Sequence, residues 1–131
     1  MYRSFTVILL TIISTTCLAQ DAWKAPSEAD KLKSPFALDN EKTIAKGEKI
    51  FGKMCWTCHG EYGKGDGAAA EALDPKPADL TSAKVQAQTD GAFYWKITHG
   101  RGAMVGYEEI FSDDQRWQLV AFIRSLPKEN E

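Results

Sequence analysis

The 131-residue sequence predicts an all-α domain whose first and last long helices cross. Three observations carry that prediction. Ile44, Gly47, Phe51 and Met54 recur at helical spacing on one face. Leu119, Phe122, Ile123 and Leu126 recur the same way behind a capping box at Ser112-Asp113-Asp114-Gln115. Between these two stretches lie glycine-rich loops and short helical runs, with no strand pattern of any length and no internal repeat.

Residues 1–19 read as a secretory signal peptide. Arg3 supplies a positive start, Phe5 to Ile13 form an apolar run, and Cys17-Leu18-Ala19 places small residues before a cleavage point at Gln20. The apolar run is too short to span a bilayer. A minor reading makes Cys17 a lipid-anchor site, although Ser14, Thr15 and Thr16 match a lipoprotein signal poorly. Cleavage leaves 112 residues with 15 Lys plus Arg against 18 Asp plus Glu, because Arg3 is the only charge lost; the net charge is then −3. That balance excludes a general nucleic-acid binder. The length fits one small domain with a thin core.

Residues 20–38, with Pro26, Pro35 and several charges, read as an extended or mobile lead segment, essentially a linker, with Trp23 and Phe36 as its candidate docking side chains. The domain proper is expected over 39–131. Asp39 or Asn40 can cap the first helix. Gly47 in its middle costs about 1 kcal/mol relative to Ala, which points to another helix crossing too closely for a side chain. Phe122 and Leu119 are the expected partners for Gly47 and Phe51. A short Ala-rich turn is expected at Ala68–Leu73, and a middle helix capped at Thr89-Asp90 runs to about Thr98. Pro127 stops the last helix.

Residues 55–59 read Cys55-Trp56-Thr57-Cys58-His59, the C-x-x-C-H pattern of covalent haem attachment. Two thiols three positions apart on a helical turn can each add to one vinyl group of a porphyrin. The next residue then sits under the iron and offers an imidazole nitrogen. The rival chemistries fit less well. A zinc site needs four ligands, and outside the pentapeptide only Cys17 and His99 remain. A thioredoxin-like dithiol follows a strand, and here a helical pattern precedes. The glycines at 60, 63, 65 and 67 lack the Gly-Lys-Ser/Thr ending of a phosphate loop; they let backbone approach a flat macrocycle.

Met104 is the candidate for the second axial position, 45 residues past His59 in a loop with Gly100, Gly102 and Gly106. His99 is the competitor, and an open site is the third reading. Met54 shares its helix with Cys55, cannot reach the far face, and reads as core filler. The outer nitrogen of His59 is expected to donate to a backbone carbonyl near Pro75 or Pro77. Trp95, Tyr94 and Arg101 are candidates for holding the haem propionates.

These residues together resemble the single-haem class I cytochromes c of the bacterial periplasmic type. The likeness covers Asn40 to Pro127. It rests on Gly47-x-x-x-Phe51, on Cys55 through Gly60, on Gly63-Lys64-Gly65-Asp66-Gly67, on Pro75 through Leu80, on Ile97 through Met104 and on Leu119 through Arg124. Val105 departs from the proline that many relatives carry after the methionine. The resemblance implies loops and short helices wrapped around one covalent haem c, with the terminal helices crossing near Gly47. It implies a periplasmic, non-enzymatic electron carrier, a monomer when free, exchanging single electrons with a redox donor and acceptor such as an oxidase, reductase or dehydrogenase. Lys53, Lys64, Lys76 and Lys96 are candidates for steering acidic partners to the haem edge. Two alternatives stand beside this. One is a haem subunit of a larger redox complex; the other is a ligand-binding or peroxidatic protein with an open or His99-ligated site.

Overall fold

The computed structural model describes residues 23–127. The signal peptide expected over residues 1–19, with Cys17, lies outside the described residues. Five α-helices follow in order: α1 (Glu41–Met54), α2 (Trp56–His59), α3 (Ala83–Gln86), α4 (Asp90–His99) and α5 (Asp113–Ser125), with 3-10 turns at Ser27–Lys31 and Ala70–Ala72. No strand occurs among the described residues; a single bridge joins Arg101 and Met104.

Each long helix starts where its sequence signal stands. Asn40, not Asp39, caps α1: its side-chain oxygen accepts from the Lys42 and Thr43 amides at 3.0 and 3.2 Å. Thr89 caps α4 by accepting from the Ala92 amide at 3.1 Å. Ser112 and Gln115 close the reciprocal capping box of α5.

The frame is the crossing of α1 on α5. A Cβ at position 47 would sit 2.6 Å from the Gln118 carbonyl carbon and 2.9 Å from the Phe122 Cβ. Only glycine allows the two backbones this approach. One turn on, Phe51 is buried and meets the Phe122 ring with centroids 5.0 Å apart. Burying such a ring contributes about 1.5–3 kcal/mol. Leu119, Val120 and Ile123 complete the buried face of α5. Met54 departs from its expected place in the core and is 47% exposed. The buried stripe of α1 holds only Gly47 and Phe51; Met54 lies beyond the crossing, where the chain leaves α1 for α2.

The sequence carries no signal for α3, because four residues show no readable period. This helix is held from outside. The Gln86 amide donates to the carbonyls of Leu80 at 2.7 Å and Ile123 at 3.0 Å. Arg124 ties the same corner together, donating to Asp90 at 2.6 Å and to the Gln86 carbonyl at 2.7 Å while its guanidinium lies 4.6 Å from the Phe93 ring centroid.

The described part of the lead segment is not a plain linker. Ala29, within the 3-10 turn, is 2% exposed. The Thr89 hydroxyl donates to Asp30 at 2.6 Å, and the Lys96 ammonium lies 5.3 Å from the Trp23 ring centroid. Phe36 and Leu38 pack against the buried cluster. The segment docks because its few apolar side chains find cover on α4 and the core.

Gly47→Ala is expected to lower stability by about 1–3 kcal/mol or more through overpacking. Gly52, on the same helix, has open space where a Cβ would stand, with nothing within 4 Å; Gly52→Ala should raise stability by up to about 1 kcal/mol. Guanidinium midpoints of the two variants check both signs.

Candidate functional site

Cys55 ends α1 and caps α2, so the chain changes helix axis at the first cysteine of the pentapeptide. A four-residue helix leaves its last carbonyls without internal partners. The loop that follows supplies all of them. Gly60 donates to the Trp56 carbonyl at 2.8 Å, Ala69 to Thr57 at 2.9 Å, Gly67 to Cys58 at 3.2 Å and Gly65 to His59 at 2.8 Å. The glycine run thus wraps the turn that carries Cys55, Cys58 and His59.

Both cysteines are free thiols and half-buried. Burial, with the neighbouring Cys58 adding to it, pushes the Cys55 thiol up to about 12. His59 lies against Phe51 with ring centroids 6.4 Å apart. Burial lowers its pKa below 6.5, and the Ala78 backbone works weakly against that shift. Nδ1 of His59 is buried and meets no partner in full hydrogen-bond geometry. The Ala78 carbonyl is thus close enough to be felt by the ring but stands short of a formed hydrogen bond. The backbone group that acts on the ring, expected near Pro75 or Pro77, is that of Ala78. The Pro77–Ala78 stretch itself packs on Gly65, where an added Cβ would come within 3.2 Å of the Ala78 carbonyl. Asp79 fixes the next turn, accepting from the Thr81 amide at 2.8 Å and hydroxyl at 2.6 Å. The Thr81 hydroxyl is the main cause holding the Asp79 carboxyl below its ordinary 3.8.

Met104 sits in a tight hairpin rather than a slack loop. Arg101 and Met104 exchange backbone hydrogen bonds of 2.8 and 3.0 Å. The chain beyond returns to α4, where Tyr107 donates to the Ile97 carbonyl at 3.0 Å and Glu108 to Thr98 at 3.2 Å. Gly100 has φ +66, and a Cβ there would meet the Val105 carbonyl carbon at 2.5 Å. Met104 and Cys55 both pack against the buried cluster built on Phe51, Leu80 and Ile97.

The other candidates lie around α4. Trp95 is half-buried and stacks on His99 at 4.5 Å. His99 is exposed, and its Nδ1 donates to the Trp95 carbonyl at 2.9 Å, which anchors the ring on its own helix. Arg101 is exposed at the hairpin; burial lowers the Lys96 pKa, and the Arg101 charge lowers it further. Tyr94 is drawn elsewhere: it stacks on Trp117 at 4.3 Å beneath the Arg116 guanidinium, which pairs with Asp113. Three of the four expected lysines act within the chain. Lys76 pairs with Glu71 at 2.7 Å, Lys96 donates to Gln88, and Lys64 acts on Asp79.

Tyr107 is a site residue that the sequence reading missed. It is buried, stacks on Phe111 at 4.9 Å, and its phenol pKa is raised by burial and then by Cys55 and Cys58. A single aromatic three residues past Met104 belongs to no period, so only its position in the Met104 loop could have flagged it.

Two reduced thiols one turn apart, a buried imidazole and a thioether packed on the same cluster form a donor set that fits a covalent haem. Among the described residues no three His, Cys, Asp or Glu side chains converge on a metal ion by themselves. The sequence matches the family "Cytochrome C oxidase, cbb3-type, subunit III" over residues 42–123. The chain belongs to this cytochrome c family. Membership of this family implies haem c as the cofactor. The fold is similar to a chain of the Kuenenia stuttgartiensis reducing HAO-like protein complex (30% identity, TM-score 0.62), covering 77% of this chain and 55% of that one. It is similar to the KustC0563 c-type cytochrome (26%, TM-score 0.56), covering 63% of this chain and 98% of that one. It also shares its fold with cytochrome cL from Hyphomicrobium denitrificans (24%, TM-score 0.55), covering 79% of this chain and 64% of that one. This cytochrome domain thus spans between half and two thirds of the first and third of these. No curated protein matches the sequence.

Gly100→Ala is expected to loosen the hairpin, so that exchange of the Met104 and Tyr107 amides speeds up by about tenfold or more, equivalent to about 1.4 kcal/mol. Hydrogen exchange reads this directly. For Asp79 the lowered folded pKa stabilises the protein above the ordinary carboxylate value, and that contribution fades as pH falls below 3.8. The stability gap between wild type and Asp79→Asn should be open at pH 7 and close on acidification below that value, as urea titrations at several pH values will show.

Proposed function

We propose that this cytochrome carries one haem c, joined by thioethers to Cys55 and Cys58 and ligated by His59 and Met104, and that it shuttles single electrons as an exported, periplasmic protein. Bound there, the haem supplies a one-electron iron couple. The observation that carries the reading is the Met104 hairpin, fastened to α4 and packed on the same cluster as Cys55. A ligand held in place before the electron arrives needs little rearrangement when it leaves. The exposed, helix-anchored His99 is the weaker rival. A single C-x-x-C-H in the sequence supports a count of one haem.

The chain's own residues have separate tasks. His59 presents its imidazole from a turn whose carbonyls are all covered. Ala78 offers the carbonyl that fixes the ring's outer nitrogen. Trp95 and Arg101 are proposed partners of the propionates. Were His59 and Met104 both to hold the iron, no position would be left for a substrate, which supports a carrier over an enzyme. The α-helices of the described residues include none long and apolar enough to cross a membrane.

A second reading makes this chain a subunit of a larger redox assembly. It is favoured by the similarity to a chain of a reducing HAO-like protein complex and by a lead segment docked on α4 rather than free.

The mature protein, expressed where haem is attached, should be heavier by one haem. Its oxidised form should show the far-red sulfur-to-iron charge-transfer band. Met104→Ala should abolish that band and admit cyanide or carbon monoxide at neutral pH. A wild type without the band, binding these ligands readily, overturns the Met104 assignment. Co-purification with partner subunits decides between carrier and subunit.

A further inference from the structure

Between α1, α2 and the loop after them lies a groove of about 610 Å³, lined by none of Cys55, Cys58, His59 and Met104. Phe51, Phe122 and Gly52 line it, and at Gly52 a side chain would meet nothing within 4 Å. Trp56, 46% exposed, and Tyr62, 65% exposed, line it as well. Its carboxylates are Glu48, Glu61 and Asp66, and no lysine or arginine lines it. Two of the lysines expected to face partners, Lys76 and Lys96, are instead engaged within the chain.

We propose that this groove is the docking site for a basic segment of a redox partner protein, one that presents a lysine or arginine side chain to the Trp56 and Tyr62 rings and to the Glu48, Glu61 and Asp66 carboxylates. Aromatic faces attract a cation electrostatically, and carboxylates beside them fix its position. Exposed apolar surface rimmed by charge is the usual mark of an interaction site. The position argues for a protein that exchanges electrons rather than a free small cation. Trp56 stands between the two cysteines of the haem motif, so an occupant of the groove lies one residue from the covalent attachment. The complementarity is also the reverse of the lysine-led docking that the sequence alone suggests: this surface selects a cationic partner. The inference rests on the electron-transfer reading, and its test separates the two.

The probe is pentalysine, added to the reduced holoprotein at low salt and followed by nitrogen-15 NMR. The expected result is a saturable shift of the Trp56 indole N–H and the Tyr62 amide that fades as salt is added. Glu48→Gln/Glu61→Gln should weaken binding about tenfold, and Gly52→Leu, which fills part of the groove and leaves every charge, should weaken it comparably. Glu28→Gln/Glu109→Gln, which removes two carboxylates outside the groove, should leave it unchanged. Shifts that spread over other faces, or that respond equally to the control pair, overturn the proposal. So does a groove signal that depends on protein concentration without peptide, which makes a second copy the occupant. Reduction by ascorbate and reoxidation by ferricyanide should proceed alike in all variants; a wild type that fails there fails as an electron carrier, whatever the groove binds.

Discussion

A four-residue helical turn carries the chemistry of this protein, and such a turn has no stability of its own. Everything near it exists to hold it. From before, α1 delivers Cys55 with its amide bonded to the Phe51 carbonyl at 2.9 Å. From after, four loop amides cover the four carbonyls of Trp56, Thr57, Cys58 and His59. From the side, Phe51 wedges between His59 and Phe122. The geometry that places two thiols and one imidazole on one turn is thus imposed by tertiary contacts, not by helix propensity.

The second half of the site uses the same device on a longer helix. The last carbonyls of α4 accept from Tyr107 and Glu108, which follow Met104 in the chain. A helix end left open would need water or a side chain to satisfy it. Here the unmet groups of α4 become the anchor for the thioether's loop. Val105, in the position where proline would have stiffened the chain, is tolerated because hydrogen bonds on both sides already fix the backbone.

The sequence showed the frame and the pentapeptide because both write a period or a fixed spacing. Gly47 was readable as a crossing point since a mid-helix glycine is costly without a reason. The caps at Asn40, Thr89 and Ser112 were readable because their chemistry is local. What the sequence hid depends on distant groups. α3 stands only because Gln86 reaches Leu80 and Ile123. Tyr107 is buried only because its amide bonds back to the Ile97 carbonyl of α4. Ala78 acts on His59 through a backbone atom that no side chain advertises. Met54 misled because helical spacing reports a face and not how far along that face the neighbour extends. The partners of Lys76 and Lys96 within the chain were hidden because a count of charges says nothing of them. The site residues Cys55, Cys58, His59 and Met104 rest on motif spacing, whereas the roles of Trp95 and Arg101 have no comparable signal.

The contact at Gly47 joins residues roughly seventy positions apart, since its nearest neighbours are Gln118 and Phe122. Bringing such distant points together costs about 4 kcal/mol of loop-closure entropy in a flexible chain. Once closed, the polypeptide is a loop fastened at its neck. The intervening segments then fluctuate as a tethered span instead of a free strand, and a transient opening near Met104 recloses over a short search. The fastening at the neck therefore governs how quickly the far side of the molecule recovers its native arrangement.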